Sequence, residues 1–285
     1  MHYKFVKNLY NKIGDDNCLG VAADIAFQFI FSVFPFFLFL VTLMGYLGIE
    51  ETDIQFMLNY IYSAFPESMH NFLIRNINQI IKTKSIPLLS IAFVGTLWIS
   101  SNVISSLMFH IDKIQSPQKN RSFWERRPLS LVILFGFFVA IVISSFTILF
   151  GREAIEILGT KLEIAFDTQL LMYRINKVYP FITIPLAVYF FYYIAPADRL
   201  SLKRIIPGTF FFFIMWYVLT SLFGIYIEQF GKYNIAISIL GTMIIAMIWF
   251  YMTSLLILIG AEINVVLHQL GIYERLKEKR YDKAH

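Results

Sequence analysis

Residues 235–265 read IAISILGTMIIAMIWFYMTSLLILIGAEINV, a run in which Glu262 is the sole Asp, Glu, Lys or Arg. A hydrocarbon layer about 30 Å thick is crossed by about 20 mainly apolar helical residues, so this stretch is long enough to span a bilayer. Five further runs of the same character lie at roughly 21–49, 86–109, 129–150, 178–195 and 205–227. The fourth carries Pro180 and Pro185 and is short, which leaves its ends poorly defined by pattern. Backbone N–H and C=O groups cannot stay unpaired in hydrocarbon, so the spans are read as helices.

Composition agrees with a lipid solvent. Of the 285 residues, 58% are hydrophobic and 15% charged, whereas soluble chains run at roughly half apolar and a quarter charged. The 30 Phe and 16 Tyr suit lipid-facing walls and interfacial anchoring. The expected fold class is therefore an all-α integral membrane protein of about six transmembrane helices. It forms one membrane domain over 1–285, with a basic tail at 266–285. The segments 50–85 and 151–177 place apolar residues such as Phe56, Ile61, Phe65 and Phe72 at helical intervals among polar ones, and are read as outer amphipathic helices.

Basic residues orient the chain. The N-terminal segment, the loops near 113–127 and 199–204, and the C-terminal tail hold 16 of the 24 Lys and Arg, and the alternate segments hold 8. By the positive-inside rule both termini are expected in the cytoplasm. Topological bias accounts for such a basic rim. The functional alternative is contact with anionic headgroups, for which Arg126, Arg127, Arg199, Lys203 and Arg204 are the candidates. No cleavable signal peptide is visible, so the first span acts as its own targeting signal. The one cysteine, Cys18, excludes an intrachain disulfide and is expected to be an inert small residue.

Ionisable groups within spans are costly and mark pathways or structural pairs. In the first span Asp24, Gln28, Phe31 and Pro35 share one helical face, with Ser32 a turn beyond Gln28. That polar, Pro-bent face is expected to turn inward, either lining a cavity or pinning helices together. In the second span Trp98, Ser101, Asn102 and Ser105 form a polar concentration. In the last, Gly260-Ala261-Glu262-Ile263-Asn264 sets an acid and an amide among small residues that allow close helix approach. The expected cavity lining is Asp24, Gln28, Ser32, Pro35, Trp98, Asn102, Glu262 and Asn264. A base of the rim is expected to pair with Asp24 or Glu262, and a salt bridge of purely structural use is the alternative.

No phosphate-binding loop, GxSxG, HExxH or glycine-rich dinucleotide turn occurs, and the five His show no metal-ligand spacing. The expectation is a protein that is not an enzyme, with no cofactor, no metal and no nucleic-acid partner.

Several segments together resemble the YihY/virulence factor BrkB family. They are Ala22-Ala23-Asp24-Ile25-Ala26-Phe27 running to Phe31-Ser32-Val33-Phe34-Pro35, Leu97-Trp98 to Asp112 followed by Arg121-Ser122-Phe123-Trp124, Tyr193-Ile194-Ala195-Pro196 with Pro207-Gly208, and Trp249 with Gly260-Ala261-Glu262-Ile263-Asn264. Asp112 stands where the family pattern has an amide, and Ile235-Ala236-Ile237 replaces its Tyr-Gly after Tyr233. The resemblance implies six helices in a bacterial inner membrane. Members were once labelled ribonuclease BN, and envelope lipid or glycolipid export has been suggested for relatives. The expected function is a transporter or lipid-handling protein whose partners are membrane lipids, anionic ones included. The alternative is an assembly partner of another envelope protein, engaged through the outer amphipathic segments.

Overall fold

The computed structural model describes residues 2–46, 84–115, 121–139, 183–198, 200–230 and 235–271. These form seven helices and no strand: α1 (His2–Asp15), α2 (Cys18–Tyr46), α3 (Ile86–Gln115), α4 (123–139), α5 (Thr183–Ile194), α6 (Ile206–Phe230) and α7 (Ile235–Gln269). The protein is an all-helical integral membrane protein. Four stretches are long and apolar enough to cross a bilayer: Cys18–Leu43, Ile86–Gln115, Ile206–Tyr226 and Met243–Gln269. α5 is apolar but shorter. Of the expected 129–150 span, residues 129–139 are helical and the rest lies outside the described residues, as do the expected amphipathic segments 50–83 and 151–177 and the tail beyond 271. The last helix continues to Gln269, past the expected end at 265.

Two compact units are distinguished. The first comprises Met1–Cys18, Leu107–Met215 and Leu256–His285, and the second Leu19–Ser106 and Trp216–Leu255.

The second unit carries large apolar side chains on its outside. Phe27, Phe31, Phe34, Ile91, Val94, Leu222 and Ile244 are all exposed, which water would penalise and acyl chains accept. Phe29 stacks on Phe250 with ring centroids 4.8 Å apart, and Trp216 meets Trp249 edge-on at 6.3 Å. Hydroxyls bond to their own helices: Thr42 to the Leu38 carbonyl at 2.7 Å, Thr96 to Ala92 at 2.7 Å and Ser101 to Trp98 at 3.0 Å. This satisfies the hydroxyl without a neighbouring helix.

The first unit is held by backbone contact. Gly208, near the start of α6, and Gly260 on α7 face each other. A Cβ on Gly208 would overlap the Gly260 carbonyl oxygen, and one on Gly260 would overlap the Tyr192 hydroxyl. The Gly208 N–H, one of the donors a helix start leaves unpaired, is accepted by Asn264 Oδ1 at 2.8 Å. Tyr192, fully buried on α5, donates to the Ile257 carbonyl at 2.6 Å. α4 begins with a reciprocal cap, in which the Ser122 N–H donates to Glu125 Oε2 at 2.9 Å and the Glu125 N–H to Ser122 Oγ at 3.3 Å.

Gly208→Ala and Gly260→Ala are expected to abolish a monodisperse peak in detergent size-exclusion chromatography, since at Gly208 the obstructing atom is backbone and cannot rotate away. Gly136→Ala and Gly224→Ala, where an added Cβ meets nothing within 4 Å, are expected to elute as wild type.

Candidate functional site

The sequence places one carboxylate deep in α7, and the structure buries it completely: Glu262 has no exposed surface. Its Oε2 lies 3.9 Å from Lys12 Nζ of α1, and its Oε1 faces Cys18 Sγ at 4.0 Å. Lys12 also pairs with Asp16 at 3.6 Å, and Glu262 Oε2 has no hydrogen-bond partner among the described residues. Two carboxyls therefore share one ammonium, which offsets their mutual repulsion. Local folding explains why these residues converge. α1 ends in a turn where Asp16 N–H bonds to the Lys12 carbonyl at 2.9 Å and Asn17 N–H to the Gly14 carbonyl at 3.0 Å. Asn17 takes the left-handed conformation, φ 47°, that Asn tolerates at helix ends. The turn delivers Cys18 directly after Lys12 and Asp16.

The ion pair at Glu262 comes from Lys12 of α1. Arg126 packs over the Phe109 ring at 4.6 Å and donates to the Arg121 carbonyl at 2.6 Å. Arg127, expected at the headgroup rim, is buried, with its guanidinium 5.7 Å from the Phe123 ring centroid. Arg204 meets His268 at 3.1 Å, Lys203 is exposed, and Arg199 lies outside the described residues. Cys18 is buried, with its Sγ 4.0 Å from Glu262 Oε1.

A second polar cluster occupies the end of α3. Asp112 is fully buried and accepts the Ala197 N–H at 2.6 Å, while Arg121 donates to the carbonyls of Ala195 and Pro196 at 2.8 and 3.0 Å. The segment after α5 is thus clasped by an acid and a base. Asp112 Oδ2, the Gln115 amide, Arg126 Nε, Asn264 Nδ2 and His268 Nδ1 are buried with no hydrogen-bond partner among the described residues.

The remaining candidates lie in the second unit. Gln28 donates to Asp24 Oδ2 at 2.8 Å, as their spacing implies; Asp24 is exposed, while Gln28 is part-buried with its Oε1 unpartnered among the described residues. Of the expected inward face, Asp24 and Phe31 are exposed and Gln28, Ser32 and Pro35 are part-buried. The inward positions of α2 are Val21, Ala22, Ile25 and Ala26, because small and β-branched residues give the closer helix packing. Ser32 bonds to its own Phe29 carbonyl at 2.6 Å, Pro35 lies beside Gly95, and Trp98 and Asn102 are exposed. Glu262 and Asn264 are therefore the two expected residues that the structure buries in contact with other elements. Lys12, Asp16 and Asp112 were missed because each looks like an ordinary loop or rim charge in sequence. Among the described residues no group of three or more His, Cys, Asp or Glu could hold a metal ion.

Two outcomes are expected in thermal unfolding in detergent. Lys12→Met leaves the Glu262 carboxylate buried beside a weak thiol donor and is expected to cost about 1–3 kcal/mol, more than Glu262→Gln, with the double variant recovering most of the loss. Glu262→Leu is expected to be worse than Glu262→Gln, and wild-type behaviour of Glu262→Leu would refute this account. At the second cluster Asp112→Asn keeps an acceptor for Ala197 and is expected to be tolerated. Asp112→Ala orphans that N–H and is expected to cost about 1–3 kcal/mol by the same measurement.

Comparison with known proteins adds lineage to this geometry. The chain is 29% identical over 267 residues to a Bacillus subtilis (strain 168) protein named ribonuclease-like, YfkH, covering 93% of this chain and 95% of that one. No solved structure matches. The family model described as Virulence factor BrkB matches residues 9–284. This helical membrane protein, with its buried Glu262 on the last span, belongs to the virulence factor BrkB family.

Proposed function

We propose that this protein is a non-enzymatic transporter or handler of lipid or another envelope component in the bacterial inner membrane, with both termini cytoplasmic. The observation that carries this reading is Glu262, an acid with no exposed surface on a membrane-spanning helix, met by Lys12, Asp16 and Cys18. Ionisable groups on membrane-spanning helices are costly, which makes Glu262 a functional-site candidate. Two further features support it. Among the described residues every Lys and Arg except Lys84 falls in the first unit, a basic setting suited to an anionic headgroup. The same unit holds the unpaired polar atoms of Asp112, Gln115, Arg126, Asn264 and His268, which water or a polar ligand would complete.

The ribonuclease-like name belongs to the relative. In this chain the motifs supply no paired base and nucleophile for hydrolysis, so the reading is non-enzymatic.

The test uses purified full-length protein in vesicles carrying fluorescently tagged phosphatidylglycerol. Dithionite, which bleaches outer-leaflet dye, is expected to reach lipid from both leaflets with the wild-type chain. With folded Glu262→Gln it is expected to reach the outer leaflet alone. Outer-leaflet bleaching by the wild type, together with a stoichiometric envelope protein captured by crosslinking in cells, would replace this reading with an assembly role.

A further inference from the structure

α1 presents three distinct sides around its axis. Phe5, Leu9, Lys12 and Ile13, spaced i, i+4, i+7 and i+8, are part-buried and form the side turned to the protein. Next to it runs an exposed apolar stripe, Tyr3 at 77%, Val6 at 61% and Tyr10 at 78% exposure. Lys7 flanks that stripe, and Lys4, Asn8 and Asn11 complete the remaining, fully polar side. In water the stripe would be an uncompensated apolar surface.

The helix cannot leave the bilayer surface. Its last residue, Asp15, is separated by Asp16 and Asn17 from Cys18, where a membrane-spanning stretch begins. The three residue steps from Asp15 to Cys18 reach roughly 11 Å at most. Independently, its inner side is tied through Lys12 to Glu262, on another spanning stretch, Met243–Gln269. A helix so held, with tyrosines beside an aliphatic residue on one side, Lys7 at its margin, and Lys4 among the amides of the polar side, has the layout of an interfacial helix. Tyrosine rings settle at headgroup level, and lysine stems run along apolar surface while the ammonium stays wet.

We infer that the Tyr3–Val6–Tyr10 stripe of α1 lies in the membrane interface and that Lys4 and Lys7 hold the headgroups of anionic phospholipids there. The occupant is lipid because the stripe is apolar, its margin is cationic, and the chain itself places it at the bilayer. This surface faces outward, away from Glu262's partners, and does not rest on the transport reading.

The experiment places a nitroxide at Val6→Cys or Asn8→Cys in the full-length chain, with the wild type as the labelling control for buried Cys18. The protein is reconstituted in phosphatidylcholine vesicles with or without phosphatidylglycerol. Power saturation then compares collisions with oxygen, which concentrates in lipid, and with a neutral nickel chelate, which stays in water. Val6 is expected to favour oxygen and Asn8 the chelate, with the contrast growing when phosphatidylglycerol is present. Lys4→Gln with Lys7→Gln is expected to abolish that growth while leaving the contrast in neutral lipid. Equal chelate access at both positions would overturn the interfacial placement. Shielding of Val6 from both reagents would overturn it in favour of a protein partner, and growth that survives loss of both lysines would overturn the headgroup assignment.

Discussion

The contact between Gly208 and Gly260 is the constraint on which the first unit depends. Apolar helices in lipid gain little from burying apolar surface against one another, so their association relies on close backbone approach and on polar pairs. Without side chains at these two positions, α6 meets α7 at the distance where Asn264 reaches the Gly208 N–H. The Tyr192 hydroxyl fits over Gly260 and bonds to the Ile257 carbonyl. Two residues further along α7, Glu262 is presented to α1. The buried acid is held in place by a contact that itself carries no charge.

Glu262 and Asn264 show how one short stretch of helix serves two neighbours. Residues two apart on a helix point in different directions, so the acid turns to Lys12, Asp16 and Cys18 while the amide turns to the start of α6. On α3 the same device appears again, with Asp112 gripping the Ala197 N–H. In the second unit the Tyr46 hydroxyl donates to the Lys84 carbonyl just before α3. Thr42, Thr96 and Ser101 return their hydroxyls to their own helices, and large apolar side chains face outward. The bases among the described residues, Lys84 apart, lie in the first unit with Glu262 and Asp112, which is why the functional reading centres there.

α1 links these themes. Its inner side completes the environment of Glu262 through Lys12, and its outer stripe has the composition of an interfacial anchor. A change in how that stripe sits would be felt first at the Lys12 and Glu262 pair, because a rigid helix carries both.

Much of this was legible in the sequence. Length and apolarity alone determined that the chain lives in lipid and is helical, since a bilayer admits few other ways to satisfy a backbone. Gly260 to Asn264 stood out for the same local reason, small residues beside an acid and an amide. The face of α2 did not follow from its pattern. Asp24 and Gln28 looked like an inward stripe, but Val21, Ala22, Ile25 and Ala26 allow closer packing and took the inner positions. The partners of Glu262 were also out of reach. Cys18 lies 244 positions away, and nothing in local periodicity distinguishes Lys12 from the other bases near the N-terminus. Periodicity and composition act over a turn or a span and are written in the chain. Which base meets a buried acid is decided by how the helices pack, and that is set by tertiary structure alone.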